Sequence, residues 1–556
     1  MTGTGPAGNI YLIGFSFTGK TTVGRLLAHR LGMFFVDSDD EIERAVGRPI
    51  SEIFEPDGET HFRELETELL RELSNQSGRV ISTGGGIVVD PTNRELMDGS
   101  GTVVCLEARP VTILERLQRA SDNESSRPLL QRTRPLDAIR RLKSRRQRHY
   151  AEANVTVHTD FLQPDGVVEA IVGLLRSDTP TLIPIGEAND PDLAYSVETE
   201  TASYPIVVGA GALDSLGERM RTLGLSGSAH IIVDGAIESS VGRQAADAVQ
   251  KSGYRTRMYA LTPGEASKTL VMAGELYSWL VEGKAERRDI IVAVGGGVVG
   301  DLAGFVAATY ARGLTFIQVP TTVLAMADAS IGGKVAVDLP AGKNLVGAFY
   351  QPALVLADVK VLSTLPERDR AAGWAEVVKT GLIMDEDLVS FLEGNISGFL
   401  GGDEAVARRA LARCAALKGR VVSLDERETS GLRATLNYGH TLGHAIETVT
   451  GYSNVFHGEA VAIGMSFAGI LAANIGRLSR PDLERQQRLI SRLGLPIRPP
   501  EGLDLNAVRD AMKLDKKVES GANRWVLLDR VGHAQLRSDV DQTAADEMLE
   551  VFFGST

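Results

Sequence analysis

The strongest constraint on the fold is the run Gly14-Phe-Ser-Phe-Thr-Gly-Lys-Thr21 near the N-terminus. It matches the pattern G-x-x-x-x-G-K-[ST] and lies between a short apolar stretch, 10–13, and a helix-like stretch, 21–31. In such a loop, backbone N–H groups surround phosphates, the lysine reaches the outer phosphate oxygens and the threonine hydroxyl binds Mg²⁺. The run therefore predicts a phosphate-binding loop that opens an α/β domain.

Two α/β patterns follow one another along the 556 residues. In residues 1–176, alternating strand and helix patterns predict an α/β domain whose parallel sheet follows the phosphate-binding loop and carries helices on both faces. Residues 177–203 are rich in proline and acidic residues and lack a sustained period, which is typical of a linker. A second α/β pattern covers 204–365, and mostly helical patterns cover 366–556. We therefore expect 1–176 and 197–556 to fold and act as separate fragments.

Composition argues against several kinds of partner and of metal site. The 59 Lys and Arg against 72 Asp and Glu give a net charge of −13, which argues against a nucleic-acid or anionic-membrane partner. Cys105 and Cys414 are too few for a disulfide framework or a cysteine-based metal site. The N-terminus lacks the pattern of a signal peptide, and no apolar stretch is interpreted as spanning a membrane. We expect a cytoplasmic protein with small-molecule partners.

Charged and glycine-rich motifs in residues 1–176 supply candidates for an acceptor site. Asp37-Ser-Asp39 follows a strand-like stretch, so its carboxylates should lie beside the phosphates at the carboxyl edge of the sheet. Residues 109–150 contain eleven arginines and one lysine; most suit a solvated helix face, and a few can bind a small anion. Three further motifs are Phe-Arg63-Glu-Leu-Glu66, Gly84-Gly-Gly86 and Arg127-Pro-Leu-Leu.

Together these motifs resemble those of shikimate kinase over nearly all of the first unit. The resemblance implies that Asp39 assists attack by the acceptor hydroxyl, that Asp37 and Thr21 hold Mg²⁺, and that Glu66 orients Arg63. Phe17 departs from the family, which usually has glycine there, and can alter the loop. The implied acceptor site is Asp39, Arg63, Gly84, Gly85, Gly86 and Arg146, with Tyr150 as an anchor. The implied ATP site is Gly14, Gly19, Lys20, Thr21, Thr22, Arg119 and Arg127.

The second α/β pattern contains a glycine-rich turn of another kind. Gly295-Gly-Gly-Val-Val-Gly-Asp301 follows an apolar strand-like stretch, and its glycines would let the backbone approach a dinucleotide pyrophosphate. Two more polar turns, 263–268 and 320–322, also follow apolar stretches. We therefore expect an α/β dinucleotide-binding subdomain in 204–365.

Histidines are concentrated in the later, helical part. Asn437, His440 and His444 have the spacing i, i+3 and i+7, which predicts one face of a helix. A lone helical histidine is usually a core residue, but His457 and Glu376 favour a His/His/Glu zinc site with an open position. A closed site that also includes His444 is the alternative by spacing. Cations in glycine-rich or apolar settings suit a substrate with a phosphate and a carboxylate: Arg312, Lys334, Lys343, Lys379, Lys418 and Arg433.

The strings GGGVVGDLAGF, QVPTT, NYGHTLGHAIE and HGEAVA make the chain from residue 204 onward similar to 3-dehydroquinate synthase. The resemblance implies a homodimer that uses NAD⁺ and zinc, or cobalt, with Glu376, His440 and His457 as metal ligands. It implies that Arg312 reaches the neighbouring subunit's site. The implied catalytic residues are Asp328, Lys334, Lys379, Lys418, Arg433, Asn437 and His444, with Lys343, Glu428 and Lys517 on the substrate. The implied NAD⁺ site is Asp234, Gly264, Glu265, Lys268, Gly296, Gly297, Val298, Val299, Gly300, Asp301, Thr321, Thr322, Lys334, Lys343, Asn344 and Thr364.

The two resemblances imply two reactions on one chain. The first is ATP- and Mg²⁺-dependent 3-phosphorylation of shikimate. The second converts 3-deoxy-D-arabino-heptulosonate 7-phosphate into 3-dehydroquinate and phosphate, a redox-neutral cyclisation in which NAD⁺ is reduced and reoxidised. The residues leave open another small-molecule kinase or a nucleotide-sensing module for the first unit. For the second unit they leave open a metal-dependent polyol dehydrogenase.

Overall fold

A computed structural model describes residues 8–108, 110–120, 135–150, 153, 155–159, 163–175, 190–199, 201–340, 342–428, 433–451, 454–517 and 525–554. The chain divides into two compact units, one built mainly from Met1–Thr179 and the other mainly from Thr201–Thr556. Within the described ranges, no helix is long and apolar enough to cross a membrane.

The first unit contains a five-stranded sheet in the order β2-β3-β1-β4-β5, and each neighbouring pair is parallel. Its strands are β1 (Asn9–Ile13), β2 (Phe34–Asp37), β3 (Arg79–Ser82), β4 (Gly101–Glu107) and β5 (Val155–His158). Its helices are α1 (Lys20–Leu31), α2 (Ser38–Val46), α3 (Ile50–Ser74), α4 (Pro91–Ser100), α5 (Pro110–Ala120), α6 (Pro135–Tyr150) and α7 (Pro164–Leu175).

Both faces of this sheet are covered, as the alternation of side chains along a strand requires. Along β1, Tyr11 and Ile13 belong to one buried cluster, which α3 to α6 complete. Ile10 and Leu12 belong to a second cluster, completed by α1 and α7. The predicted parallel sheet with helices on both faces is therefore confirmed.

The second unit contains a seven-stranded sheet in the order β6-β7-β14-β11-β10-β8-β9 and two antiparallel hairpins, β12–β13 and β15–β16. The sheet strands are β6 (Leu193–Glu198), β7 (Ser203–Gly209), β8 (Ala229–Asp234), β9 (Thr256–Leu261), β10 (Ile290–Gly295), β11 (Thr315–Pro320) and β14 (Leu354–Asp358). The hairpin strands are β12 (Lys334–Leu339), β13 (Gly342–Phe349), β15 (Trp525–Arg530) and β16 (His533–Arg537).

Helices surround the second sheet and then continue beyond it. Those between its strands are α8 (Leu216–Thr222), α9 (Arg243–Lys251), α10 (Leu270–Glu282) and α11 (Gly297–Thr309). Those after β14 are α12 (Glu367–Met384), α13 (Glu386–Gly394), α14 (Ile396–Gly401), α15 (Glu404–Leu424), α16 (His440–Val449), α17 (His457–Asn474), α18 (Arg480–Arg492), α19 (Leu505–Lys517) and α20 (Gln542–Gly554). The α/β part followed by a mainly helical part is thus as predicted.

A single hydrophobic cluster joins these two parts of the second unit. It contains Ile317 and Val355 from the sheet together with Trp374 from α12 and Phe467 from α17. The proposed division at residues 365 and 366 therefore crosses a continuous core, and it stays a prediction.

The predicted C-terminal end of the linker, residue 203, is wrong. Strand β6 lies within 177–203 and is the edge strand of the second sheet. Leu193, Tyr195 and Val197 are buried in the core of the second unit. The six-residue pattern is short and stands between Pro191 and further acidic residues, which concealed it. The predicted fragment 197–556 would cut this strand in two.

Candidate functional site

The glycine loop between β1 and α1 has the geometry of a phosphate cradle. Gly14 has a φ of 138° and Gly19, which precedes α1, a φ of 95°. A Cβ atom on Gly14 would overlap the carbonyl oxygen of Leu106. The buried Lys20 donates its Nζ to the carbonyl oxygens of Gly14 at 2.9 Å and Phe15 at 3.0 Å. A phosphate at the helix N-terminus would offer this ammonium group stronger acceptors than the two carbonyls.

Phe17 adopts the left-handed conformation, with a φ of 65°. Glycine would adopt this conformation without strain, which accounts for the glycine expected at this position. The Phe17 carbonyl accepts a hydrogen bond of 3.2 Å from Arg116, which also donates 2.9 Å to the Thr159 hydroxyl. Sequence analysis missed Arg116, because its contact with the loop spans 99 residues of chain.

Hydroxyl and carboxylate oxygens suited to Mg²⁺ meet beside the loop. The Thr21 hydroxyl donates to Asp37 Oδ2 at 2.8 Å and lies 3.4 Å from the Ser82 hydroxyl. Magnesium prefers hard oxygen ligands and retains several waters, so a threonine and one carboxylate suffice on the protein side. The structure therefore brings together the two residues predicted to hold Mg²⁺, and their chemistry fits this ion.

An arginine and two carboxylates converge beneath the glycine triplet. Arg63 is hydrogen-bonded to the fully buried Glu66. A Cβ on Gly84 would lie 2.5 Å from Glu66 Oε1 and 2.9 Å from Asp39 Oδ1, and one on Gly86 would overlap the Arg63 guanidinium. The glycines are thus required for the close approach of these side chains. Burial raises the pKa of Glu66 to about 7, although Arg63 opposes the shift.

The remaining glycine of the triplet links this cluster to α6. The Gly85 carbonyl accepts hydrogen bonds from Arg146 at 3.1 Å and from the Tyr150 hydroxyl at 2.6 Å. Tyr150 and Arg146 thus bond to the same carbonyl oxygen, and the anchoring role of Tyr150 stays a prediction. Of the other predicted nucleotide residues, Thr22 and Arg119 are exposed on α1 and α5. Arg127 lies outside the described residues.

The predicted dinucleotide residues cluster at the carboxyl edge of the second sheet. Gly296 precedes and Gly297 begins α11 directly after β10, and the N–H of Thr321 donates to the carbonyl of Gly295 at 3.0 Å. Helix α11 thus presents its N-terminus at the strand edge, where a pyrophosphate fits. Val298 lies in its first turn, Val299 and Gly300 are buried, and Thr322 bonds to the N–H of Ala325.

Polar contacts, two of them made by the buried Lys268, tie the other turns to this edge. Lys268 donates to Asp301 at 2.6 Å and to Asn344 at 2.5 Å, and Lys343 pairs with Glu265 at 3.0 Å. Burial raises the pKa of Asp301 to about 6, while Lys268 opposes the shift. The remaining predicted NAD⁺ residues lie in nearby turns or bond locally: Asp234 caps a 3₁₀ turn, Gly264 has a φ of 103° and Thr364 donates to Val361.

Glu376, His440 and His457 form a candidate metal centre. One ligand atom from each lies within 4.8 Å of the other two. Glu376 Oε1 is 3.7 Å from His440 Nε2 and 3.5 Å from His457 Nε2. His444 lies outside this group, with its ring centroid 5.2 Å from that of His440. Three ligands of this kind suit zinc with a position left for substrate.

Hydrogen bonds orient both histidine rings for a metal ion. His457 Nδ1 lies 3.2 Å from Glu447 Oε1, and His440 Nδ1 lies 3.3 Å from the carbonyl of Tyr438. Each bond leaves Nε2 directed towards Glu376, as is usual for metal-binding histidines. Burial and Lys379 lower the pKa of His440 well below its usual range, so its imidazole is neutral. Sequence analysis missed Glu447, although it stands seven residues after His440 and so shares its helix face.

Asn437 does not share that face, contrary to the prediction. It ends a short 3₁₀ turn, Arg433–Asn437, and α16 begins only at His440. Gly439, with a φ of 81°, separates the two elements. The i, i+3 spacing is common to both kinds of helix, so spacing alone could not locate the break.

Buried cations surround the metal centre. Lys379 pairs with Glu376, and Lys418 bonds to Asp328 Oδ1 at 2.6 Å. Arg433 donates to the carbonyls of Gly332 at 3.1 Å and Glu426 at 2.7 Å. Burial alone would raise the pKa of Asp328, but the positive charges of Lys418 and Lys379 have the larger effect. The pKa of Asp328 is therefore lowered from its usual value. Each of these buried cations is paired or hydrogen-bonded within the protein, as a buried charge requires.

Other predicted substrate residues lie at the edge of this cluster or away from it. Lys334 pairs with Glu428, which has a φ of 59°. Arg312 is exposed and, with Ala311, forms a left-handed turn with φ values of 69° and 51°. Lys517 ends α19, and its side chain lies outside the described part of the chain.

Three family models match the chain. The model described as shikimate kinase matches residues 17–176. The models described as 3-dehydroquinate synthase N-terminal and C-terminal match residues 258–372 and 373–518. The first match lies in the first unit, and the other two cover residues 258–518 of the second unit.

Similar proteins match the second unit over nearly their full length. The 3-dehydroquinate synthase of Symbiobacterium thermophilum is 47% identical over 349 residues, which is 62% of this chain and 97% of that protein. The enzyme of the same name from Synechococcus is 44% identical over 63% of this chain and 95% of its own. A 2-deoxy-scyllo-inosose synthase solved with carbaglucose-6-phosphate, NAD⁺ and Co²⁺ has a TM-score of 0.59 at 29% identity, covering 64% of this chain and 99% of its own. The 2-epi-5-epi-valiolone synthase of Streptomyces hygroscopicus, solved with NAD⁺ and Zn²⁺, has a TM-score of 0.58 at 26% identity, covering 64% and 98%.

Proposed function

This chain belongs to the 3-dehydroquinate synthase family and carries a shikimate kinase domain before it; from that premise we propose two reactions. The kinase domain transfers the γ-phosphoryl group of ATP to the 3-hydroxyl of shikimate with Mg²⁺. The synthase unit converts 3-deoxy-D-arabino-heptulosonate 7-phosphate into 3-dehydroquinate and phosphate with NAD⁺ and zinc.

The pairing of Arg63 with buried Glu66 beside Asp39 supports the first reaction. Arginine binds a carboxylate through two parallel hydrogen bonds, and shikimate carries one carboxylate. Asp39 is placed to accept a hydroxyl proton as the hydroxyl attacks. Lys20 and the loop N–H groups neutralise the transferred phosphoryl group, as electrostatic stabilisation of phosphoryl transfer requires.

The three-ligand metal group among buried cations supports the second reaction. Bound NAD⁺ supplies a reversible hydride acceptor, and bound zinc supplies a Lewis acid for substrate oxygens. Lys379, Lys418 and Arg433 bind the substrate's carboxylate and phosphate and neutralise the charge that develops when phosphate leaves. A polyol dehydrogenase would not need three buried cations at this place.

We extend the proposal to assembly and location. The domains are 1–176 for the kinase and, for the synthase, 204–365 and 366–556 preceded by β6. A homodimer through the second unit would place the exposed Arg312 at the neighbouring site. Two histidines and one carboxylate in a three-plus-one arrangement suit zinc, and Co²⁺ accepts the same ligands. The chain acts in the cytoplasm.

One purified preparation tests both reactions. ADP formation should depend on shikimate, and phosphate release should depend on the heptulosonate phosphate. Lys20→Ala should abolish only the first activity and Lys418→Ala only the second. Net NADH formation would instead favour a polyol dehydrogenase. ATP turnover with acceptors that lack a carboxylate would favour another kinase, and ATP binding without turnover would favour a sensing module.

A further inference from the structure

Arg368 makes a two-pronged contact between two helices of the second unit. It stands in the first turn of α12, and its Nε and NH2 atoms donate to the two carboxylate oxygens of Glu459 at 2.7 and 2.8 Å. The NH2 group also donates to the carbonyl of Asn454 at 3.0 Å. The guanidinium lies 4.2 Å from the centre of the Phe456 ring. We call this set of contacts the Arg368 clamp.

The clamp connects the elements that carry two of the candidate metal ligands. Glu376 follows Arg368 on α12 by eight residues, or about 12 Å of helix. Glu459 lies in the first turn of α17, whose first residue is His457. The Glu459 carboxylate also accepts a hydrogen bond of 2.9 Å from the backbone N–H of Phe456, the residue directly before His457. The clamp therefore fixes the start of α17 against α12 where Glu376 and His457 must converge.

We propose that Arg368 and Glu459 are positioning residues for the metal site. They do not touch the metal; they set the distance between Glu376 and His457, whose facing atoms are 3.5 Å apart. Glu447 orients the His457 ring, whereas the Arg368 clamp places its backbone. The inference rests on the proposed metal-dependent function.

The geometry of the clamp separates it from an ordinary surface ion pair. Isolated exposed pairs contribute little, because solvent screens them and the side chains lose freedom. The Arg368 side chain is 55% exposed, but that of Glu459 is only 16% exposed. The guanidinium is fixed by two carboxylate oxygens, one carbonyl and one aromatic ring. Such planar, bidentate and stacked contacts favour arginine, and lysine could not reproduce all of them.

Metal affinity measured on the metal-free full-length protein tests the proposal. Zinc would be titrated against a chromophoric chelator, and Co²⁺ would report the ligand geometry by its absorption spectrum. Removing a group that supports a metal ligand weakens binding about 10–100-fold. We expect Arg368→Gln and Glu459→Gln each to weaken zinc binding by about 10-fold or more and to change the Co²⁺ spectrum. The double variant should bind zinc no more weakly than the single variant with the lower zinc affinity. Arg368→Lys keeps the charge, so its zinc affinity should lie between those of the unmodified chain and Arg368→Gln.

Arg485→Gln is the matched control. Arg485 makes a similar two-pronged contact, at 3.0 and 2.9 Å, with Glu393 and so joins α18 to α13, neither of which carries a ligand. We expect its zinc affinity to equal that of the unmodified chain. Equal weakening in Arg485→Gln and Arg368→Gln would overturn the proposal, as would unchanged binding in Arg368→Gln and Arg368→Lys. An unmodified chain that binds no zinc would instead overturn the proposed function.

Discussion

At the scale of single residues, one buried carboxylate controls the arginine of the kinase acceptor site. Glu66 has no exposed side-chain surface and bonds to Arg63, whose side chain is 25% exposed towards the site. Burial brings the pKa of Glu66 to about 7 against Arg63's opposition. The carboxylate is therefore ionised above that pH and neutral below it.

Acceptor binding should consequently depend on pH. As the pH falls through about 7, Glu66 gains a proton and its charge-assisted bond to Arg63 weakens. We expect the KM for shikimate to rise over this interval while the KM for ATP stays level. In Glu66→Gln the amide is neutral throughout, so its KM should be high and without an inflection near pH 7. An unchanged inflection in that variant would assign the titration to another group.

Arg63→Ala should lower kcat/KM for shikimate by about 100-fold or more, because it leaves the substrate carboxylate and Glu66 without their partner. Synthase activity should be unchanged. Arg71→Ala is the control, since Arg71 is exposed near the end of the same helix. Kinase kinetics of Arg63→Ala equal to those of Arg71→Ala would show that the assignment is wrong.

Replacing His457, at the start of α17, and replacing His444, on α16, should have different effects on the metal content. His457→Ala removes a ligand and should lose zinc and all cyclisation. His444 lies outside the three-ligand group. The His444→Ala protein should therefore keep one zinc per chain and lose turnover. Elemental analysis after dialysis measures this. A zinc-free His444→Ala protein would mean that the site is the closed, four-ligand alternative.

Residues in a fixed local pattern could be assigned to a site from the sequence, and residues joined only by folding could not. Lys20 and Asp37 belong to motifs whose spacing carries their chemistry. Arg116 meets Phe17 across 99 residues, and Arg368 meets Glu459 across 91, so no local pattern reveals either contact. The left-handed backbone of Phe17 was indicated only indirectly, by the glycine expected there.

At the scale of elements, strands were identified where an uninterrupted apolar run is followed by glycine. The apolar stretch at 10–13 lies in β1 (Asn9–Ile13), and the strand-like stretch before the second glycine-rich turn is β10 (Ile290–Gly295). Strand β6 was missed because its six residues include the polar Ser196 and lie between a proline and acidic residues. The break between Asn437 and α16 was missed because the spacing i, i+3 occurs in both 3₁₀- and α-helices.

The start of a separate synthase fragment should therefore decide its stability. A fragment 190–556 keeps β6, whereas 204–556 loses the buried Leu193, Tyr195 and Val197. Each such side chain contributes about 1.5–3 kcal/mol when fully buried. We expect 204–556 to unfold at a clearly lower urea concentration than 190–556 and to aggregate more readily. Coincident urea transitions would show that β6 adds nothing to the core.

At the scale of the whole molecule, the two units offer different sets of candidate metal ligands. Thr21 and Asp37 offer hard oxygen atoms, whereas Glu376, His440 and His457 offer two imidazoles and one carboxylate. Oxygen ligands suit Mg²⁺ and imidazoles suit zinc. We therefore expect two metal sites that a chelator can distinguish.

Prolonged dialysis against EDTA, followed by excess Mg²⁺, should remove synthase activity and leave kinase activity intact. Zinc added afterwards should restore the synthase. The two rates, measured on the same sample, provide the internal control. Loss of both activities in excess Mg²⁺ would contradict separate sites, and a synthase that resists dialysis would contradict a removable metal.

Recombination between genes can exchange the kinase domain as a block, but it cannot easily exchange half of the synthase. Ile317 and Val355 on the sheet side share one hydrophobic cluster with Trp374 and Phe467 on the helical side. Side chains in such a core are packed to each other's shape. A core substitution on the sheet side therefore favours compensating substitutions on the helical side. We expect the two halves of the synthase unit to diverge together within a lineage.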